Sequence, residues 1–304
     1  MSNEWIQLRV EGDRINLDEI CAVMSMLDSG LMIEDYSDIT TDGVYGDLID
    51  ESILSADPNR IAVSIFMPAE GNISDYVAFL RERLSYLNID AAVTLVGHKE
   101  ENWAHSWKKY YRPISVGRIT IVPMWEDYSP KEGEIVVRMD PGMAFGTGTH
   151  ETTRLVIALM EKHIKKGDRV LDIGCGSGIL SICASKLGAS FCAAYDIDPV
   201  AVRVARENIA ASKQDNIICD ISDLLESVDL TRGGYDIVLA NIVADIIIKL
   251  APNIENYMNP GASFIVSGII CERKQAVEEA LSSAGFTIIE EIVENGWCAM
   301  LARL

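Results

Sequence analysis

Val170-Leu171-Asp172-Ile173-Gly174-Cys175-Gly176-Ser177-Gly178 runs an apolar strand straight into three alternating glycines. Glycine at such a turn lets backbone approach a ligand where a Cβ would collide, and a helix starting directly behind it offers unpaired N–H groups. Working outward, strand-like runs recur at Arg169–Ile173, Phe191–Asp196, 216–219, 235–240 and 263–267, and helical patterns begin near Gly178, Pro199, Val243 and Glu272. Alternation with crossover helices implies an α/β fold with a largely parallel, doubly wound sheet. Two last runs, 286–293 and Trp297–Arg303, flank Asn295-Gly296, a hairpin signal that places one antiparallel strand in that sheet.

The first 97 residues read as a separate, smaller unit. Residues 4–10 alternate as a strand, and Asn16, with Glu19 three residues on, suits a helix cap ahead of Ile20, Val23, Met24 and Leu27. Strands follow at 31–34, 60–67 and Ala91–Val96, with a second amphipathic helix marked by Ile73, Val77, Leu80, Leu84 and Leu87. The order βαββαβ is that of a ferredoxin-like α+β domain. It carries an acidic stretch at 35–58 and no catalytic constellation, so it reads as a binding module. Residues 98–111, with Trp103, Trp107, Tyr110 and Tyr111 at helical spacing, form a helical linker to a domain over 112–304, which opens with strand-like runs at 118–122 and 134–138.

Composition narrows the function. The 304 residues carry a net charge of −20, and residues 1–97 alone hold 18 acidic and 5 basic side chains. Such a field disfavours direct nucleic-acid binding and attracts a basic protein, or it merely keeps the protein soluble. The most apolar segment, 237–250, is interrupted by Asn241, Asp245 and Lys249, and the opening residues lack a signal-peptide pattern, so a cytoplasmic protein with no membrane association is expected. The seven cysteines include no C-x-x-C pair and no His at zinc-ligand spacing, so no metal site is expected and the thiols read as reduced and mostly buried.

The chemistry gathers at strand ends. The spacing G-x-G-x-G departs from the G-x-G-x-x-G of dinucleotide enzymes, and Asp172 stands two residues before the first glycine. An anion there is awkward beside a pyrophosphate and suits a cationic ligand such as S-adenosylmethionine. Gly174, Gly176 and Gly178 would then form the cofactor turn, and Asp196, 22 residues beyond Gly174, would accept the ribose hydroxyls. Asp198 is placed to cap the helix opened by Pro199. Asp220 ends the third strand at the edge that borders an adenine, and Asn241 ends the fourth, where a donor methyl would meet its acceptor or where an amide would cap the next helix. Upstream, Asp140-Pro141-Gly142-Met143-Ala144-Phe145-Gly146-Thr147-Gly148-Thr149-His150-Glu151-Thr152-Thr153 is Gly-rich without a P-loop Lys and reads as a lid over the cofactor. Its His150 offers a weak candidate base, and His163 reads as helix packing. A nicotinamide-dependent dehydrogenase and a non-catalytic cofactor-binding adaptor are the rival classes; a nucleic-acid or small-molecule acceptor is the rival within methyltransferases.

These residues together resemble the ribosomal protein L-eleven methyltransferase family. The likeness rests on Asp140 to Thr153, on Asp172 to Gly178, on Asp196-Ile197-Asp198-Pro199 and on Asn241-Ile242-Val243-Ala244, with Trp103, Trp107 and the opening Trp5-Ile6-Gln7-Leu8 in support. The resemblance implies a seven-stranded Rossmann-like class I methyltransferase sheet and S-adenosylmethionine as cofactor. It implies cofactor contacts at Thr153, Gly174, Asp196 and Asn241; from the residues themselves, Phe145, Gly146, Thr147, Asp172, Gly176, Gly178 and Asp220 are further expected contacts and Asn241 is the expected catalytic residue. It further implies that the first 97 residues recognise the stalk-base protein of the large ribosomal subunit, whose lysine ε-amino and N-terminal α-amino groups are methylated.

Overall fold

The computed structural model describes residues 5–28, 30–35, 37, 57–68, 73–96, 112–140, 146, 148, 150–231 and 233–304. The chain divides into two compact units, Met1–Tyr110 and Tyr111–Leu304. Among the described residues no helix is long and apolar enough to cross a membrane.

In the first unit β1 (Trp5–Asp13), α1 (Leu17–Ser25), β2 (Met32–Asp35), β3 (Arg60–Pro68), α2 (Ile73–Tyr86) and β4 (Ala91–Val96) follow one another. The sheet order β2-β3-β1-β4, antiparallel throughout, is the ferredoxin-like arrangement. Period-2 residues Ile6, Leu8 and Val10 pair with Met67, Ile65 and Val63, and all are buried with Ile20, Val23 and Met24 of α1 and Val77, Leu80 and Leu84 of α2. Leu27 and Leu87 lie in the turns behind the helices and are only half-buried. The cap expected at Asn16 is not made. A 3₁₀ turn, Arg14–Asn16, leads into α1, and the Asn16 side chain accepts no cap hydrogen bond. The linker 98–111 and most of the acidic stretch lie outside the described residues.

The second unit opens with β5 (Ile114–Val116), β6 (Ile119–Pro123) and β7 (Ile135–Met139), β6 and β7 running parallel. Then come α3 (Glu151–His163), β8 (Arg169–Ile173), α4 (Ile179–Leu187), β9 (Phe191–Asp196), α5 (Pro199–Ser212), β10 (Ile217–Ile221), β11 (Tyr235–Asn241), α6 (Ala244–Ile254), β12 (Met258–Ile270), α7 (Lys274–Ser283), β13 (Thr287–Glu294) and β14 (Trp297–Arg303). Seven strands form one sheet in the order β10-β9-β8-β11-β12-β14-β13. β14 alone runs against the other six strands of this sheet, as the Asn295-Gly296 hairpin requires; both turn residues have left-handed φ, 49° and 82°. Residues from α3, α4 and α5 share one core with Val170, Leu239 and Ile265, while residues from α6 and α7 share another with Leu171, Val238 and Val266. Alternate strand residues thus serve opposite faces, and the sheet is doubly wound.

Several element ends differ from the sequence reading. β10 and β11 run on to Ile221 and Asn241, and β12 reaches 13 residues with a register shift between Val266 and Ile269 beside left-handed Gly268. Cys271–Arg273 form a 3₁₀ turn, so α7 starts at Lys274 instead of Glu272. Asp198 caps α5 by accepting the Val200 N–H at 2.8 Å, with Pro199 in the first turn. Asp198→Ala is expected to lower stability by about 1 kcal/mol, read as a drop of a few degrees in Tm, and to leave cofactor affinity unchanged.

Candidate functional site

The strand order reverses between β8 and β11, and a crevice at the carboxyl ends of strands that diverge in this way is where open α/β sheets bind ligands. Gly174, Gly176 and Gly178 turn the chain there with φ of 71°, 53° and 81°, all in the left-handed region. At Gly174 a Cβ would stand 2.4 Å from Ile242 Cγ2, and at Gly178 one would stand 3.2 Å from Ala205 Cβ. The turn therefore fits only as glycine, drawn tight against β11's exit on one side and α5 on the other.

Two carboxylates flank it, and one of them, Asp196, bonds it directly. Asp196, at the end of β9, accepts the Gly176 N–H at 2.8 Å through Oδ2 and the Asp198 N–H at 2.9 Å through Oδ1. Each oxygen keeps a lone pair for a further donor. Burial raises the Asp196 pKa, and the Asp198 and Gly176 N–H groups oppose that rise. Asp172 lies wholly buried, and its Oδ2 accepts the Ser181 N–H at 3.1 Å and hydroxyl at 2.7 Å. Desolvation pushes its pKa up to about 6. A carboxyl whose folded pKa exceeds its ordinary 3.8 stabilises the fold fully below 3.8 and loses that contribution as pH rises through about 6. At neutral pH the buried charge costs on the order of 3 kcal/mol. The cofactor-free Asp172→Asn protein should accordingly melt several degrees higher than native at pH 7.5, with the gap closing near pH 4, while its affinity for a cationic ligand falls. Thermal melts at the two pH values check this.

Three buried polar atoms of the second unit have no hydrogen-bond partner among the described residues: Thr153 Oγ1, Asp172 Oδ1 and Asn241 Oδ1. Leu239 is the register partner of Asp172, so Asn241 stands one pleat further along the same sheet face, the face that α3 and its Thr153 cover. All three atoms can accept a hydrogen bond, the Thr153 hydroxyl being able to donate as well, and buried acceptors are costly unless something donates to them. An ammonium and hydroxyls can donate to them, and a sulfonium can offset the Asp172 charge; a pyrophosphate, an anionic acceptor, suits neither Asp172 nor Asn241 Oδ1. The geometry fits S-adenosylmethionine and counts against a dinucleotide.

The remaining sequence candidates divide. Gly146 has φ 91°, and its carbonyl accepts the Ser177 hydroxyl at 2.6 Å, which brings that point of the Gly-rich segment onto the turn. Phe145 and Thr147 lie outside the described residues. Asp220 stands at the edge of β10, but its carboxylate is exposed and bound by Arg206 at 2.6 Å. Asn241 does not cap the next helix: Val243 holds the cap position of α6, and the Asn241 amide oxygen stays free of it. His150 caps α3, its Nδ1 accepting the Thr152 N–H, and packs edge-on against Trp297, so its ring serves as a structural cap. His163, read as helix packing, pairs instead with Glu290 of β13 at 2.8 Å. All seven cysteines are free thiols, Cys21 and Cys271 half-buried and the others buried.

Sequence reasoning missed Ser177, Ser181, Asn208, Ile242 and Gly268. Asn208 is the one with a readable signal, an amide on the apolar face of α5. Gly268 has φ 82°, and a Cβ there would lie 2.4 Å from the Ile242 carbonyl oxygen, so the glycine lets the segment behind Asn241 sit against β12.

The seven-stranded order with one antiparallel strand, the glycine turn and the acceptor-lined crevice define a class I S-adenosylmethionine-dependent methyltransferase. The comparisons with known proteins give the particular family. Residues 4–304 match the family Ribosomal protein L11 methyltransferase. The ribosomal protein L11 methyltransferase of Clostridium perfringens (strain SM101 / Type A) is 41% identical over 315 residues, covering 100% of both chains. That of Acetivibrio thermocellus is 38% identical over 310 residues, covering 99% of this chain and 98% of the relative. The crystal structure of ribosomal protein L11 methylase from Lactobacillus delbrueckii subsp. bulgaricus is 35% identical with a TM-score of 0.60, covering 64% of this chain and 98% of that one. The chain belongs to the ribosomal protein L11 methyltransferase family.

Proposed function

We propose that this protein transfers methyl groups from S-adenosylmethionine to lysine ε-amino and N-terminal α-amino groups of ribosomal protein L11 in the cytoplasm. The observation that carries the site assignment is the buried Asn241 Oδ1 at the carboxyl end of β11, which has no hydrogen-bond partner among the described residues. Bound S-adenosylmethionine supplies an electrophilic methyl on a sulfonium, open to in-line attack by an amine. Asn241 Oδ1 accepts an N–H of that amine and aims its lone pair. Thr153, Asp172, the glycine turn and Asp196 hold the cofactor. Asp220 borders the adenine, with its carboxylate given to Arg206.

Reaching the neutral amine costs roughly 4–5 kcal/mol for a lysine of pKa ~10.4 at pH 7, and only about 1–1.5 kcal/mol for an α-amino group. With His150 committed to capping α3, the proton passes to water before the amine enters, and the site works by alignment and desolvation. The first unit recognises the substrate. The charge balance of −13 over residues 1–97 attracts a basic ribosomal protein and repels nucleic acid.

Incubation with labelled S-adenosylmethionine and unmodified L11, followed by mass spectrometry, should show methyl additions on amino groups. Cofactor binding with no mass gain would instead indicate a non-catalytic adaptor. A truncated chain beginning at Arg112 should bind cofactor and fail to methylate L11. Full activity of that truncated chain would remove the recognition role from the first unit.

A further inference from the structure

We propose that Asn208, in the third turn of α5, is a positioning residue that locks the cofactor turn to the segment leaving β7, and that cofactor affinity depends on this lock. The inference rests on the S-adenosylmethionine site proposed above and adds a residue that does not itself line it. Asn208 is 1% exposed on a helix face otherwise made of Ala201, Val202, Val204, Ala205 and Ile209. An amide buried on an apolar face costs free energy unless both of its ends are satisfied. Here both are: Oδ1 accepts the Asp140 N–H at 2.9 Å, and Nδ2 donates to the Ser177 carbonyl at 3.0 Å. The amide has one possible orientation, because the first partner only donates and the second only accepts.

Those two partners belong to different parts of the site. Ser177 lies between Gly176 and Gly178, both in the left-handed region. Gly176 is held from β9 by Asp196, and Asn208 holds the next residue from α5, so the turn is fixed from both sides. Asp140 directly follows β7, and six residues on, the Gly146 carbonyl takes the Ser177 hydroxyl at 2.6 Å. The Asp140 and Gly146 backbones therefore both reach Ser177, one through the Asn208 amide and one directly. Gly178, having no Cβ, lets α5 approach closely at Ala205, one turn before Asn208, which brings Asn208 within reach.

The test is calorimetric titration of S-adenosylhomocysteine into native, Asn208→Ala and Asn208→Asp proteins at 20 °C, with melting curves for each. Native binding with Asn208→Ala weakened about 10-fold or more is expected, from the loss of two hydrogen bonds that preorganise the turn. Asn208→Asp keeps the acceptor for Asp140 but sets a carboxylate against the Ser177 carbonyl. Its deficit relative to native should be largest at pH 8 and shrink towards pH 5.5, as a protonated carboxyl regains the missing donor. A residue that only stabilises the core would lower Tm and leave all three affinities within twofold, and that result overturns the inference. If both variants fail to fold, amide exchange on the native protein decides. Saturating S-adenosylhomocysteine should slow exchange at Asp140 N–H by about tenfold, and an unchanged rate overturns the lock. A native protein that does not bind S-adenosylhomocysteine overturns the proposed function itself, a different failure from native binding with an indifferent Asn208.

Discussion

Asp196→Ala is expected to bind S-adenosylhomocysteine at least about 100-fold more weakly than the native protein. Hydrogen bonds to a charged acceptor contribute about 1.5–3 kcal/mol each, and a carboxylate that receives both ribose hydroxyls supplies two of them. The same side chain receives the Gly176 and Asp198 N–H groups, so its removal also releases the middle of the glycine turn. Asp196→Asn keeps one acceptor and loses the charge, and should fall between, weakened about 10-fold. Calorimetric titration separates the three proteins, and an Asp196→Ala protein within a few-fold of native would mean that the sugar is held elsewhere.

Asn241→Ala should lower kcat on the order of 100-fold, a loss of about 2.7 kcal/mol of alignment in the transition state. Its signature lies in what does not change. Asn241 Oδ1 has no partner among the described residues, so deleting it removes a buried acceptor without breaking a bond of the described fold, and Tm should hold or rise. A residue kept for structure would show the opposite pattern. Asn241→Asp should also be slow, because a carboxylate holds the incoming amine in its protonated form. Steady-state kinetics with L11 and a melting curve on the same preparation test the pair of expectations; unaltered kcat with a lowered Tm would place Asn241 in the scaffold.

How much of this was legible in the sequence depends on whether the signal is local. The glycine turn, the Asp198-Pro199 cap and the Asn295-Gly296 hairpin are short-range chemistry, and each forms where the residues say. Strand and helix faces follow from apolar period, which is why the doubly wound order was readable from Arg169 onward. Partners distant along the chain were not readable. Nothing near Asp220 announces that Arg206, a helical residue 14 positions earlier, claims its carboxylate. Nothing near Gly268 announces that the Ile242 backbone passes a few ångströms away. Asn16 failed as a cap because a 3₁₀ turn already precedes α1, a competition between local backbone geometries that residue type alone does not decide.

The placing of β14 between β12 and β13 bears on how the molecule is assembled. The ribosome releases β13 before β14, yet β13 has no seat on the sheet until β14 has paired with β12. During synthesis β12 therefore waits with a bare edge of unpaired N–H and carbonyl groups, the kind of edge that recruits wrong partners. The hairpin resolves the wait by a local route. The Asn295-Gly296 turn lets β13 and β14 pair through a two-residue connection, so the ribbon can close the sheet as a unit.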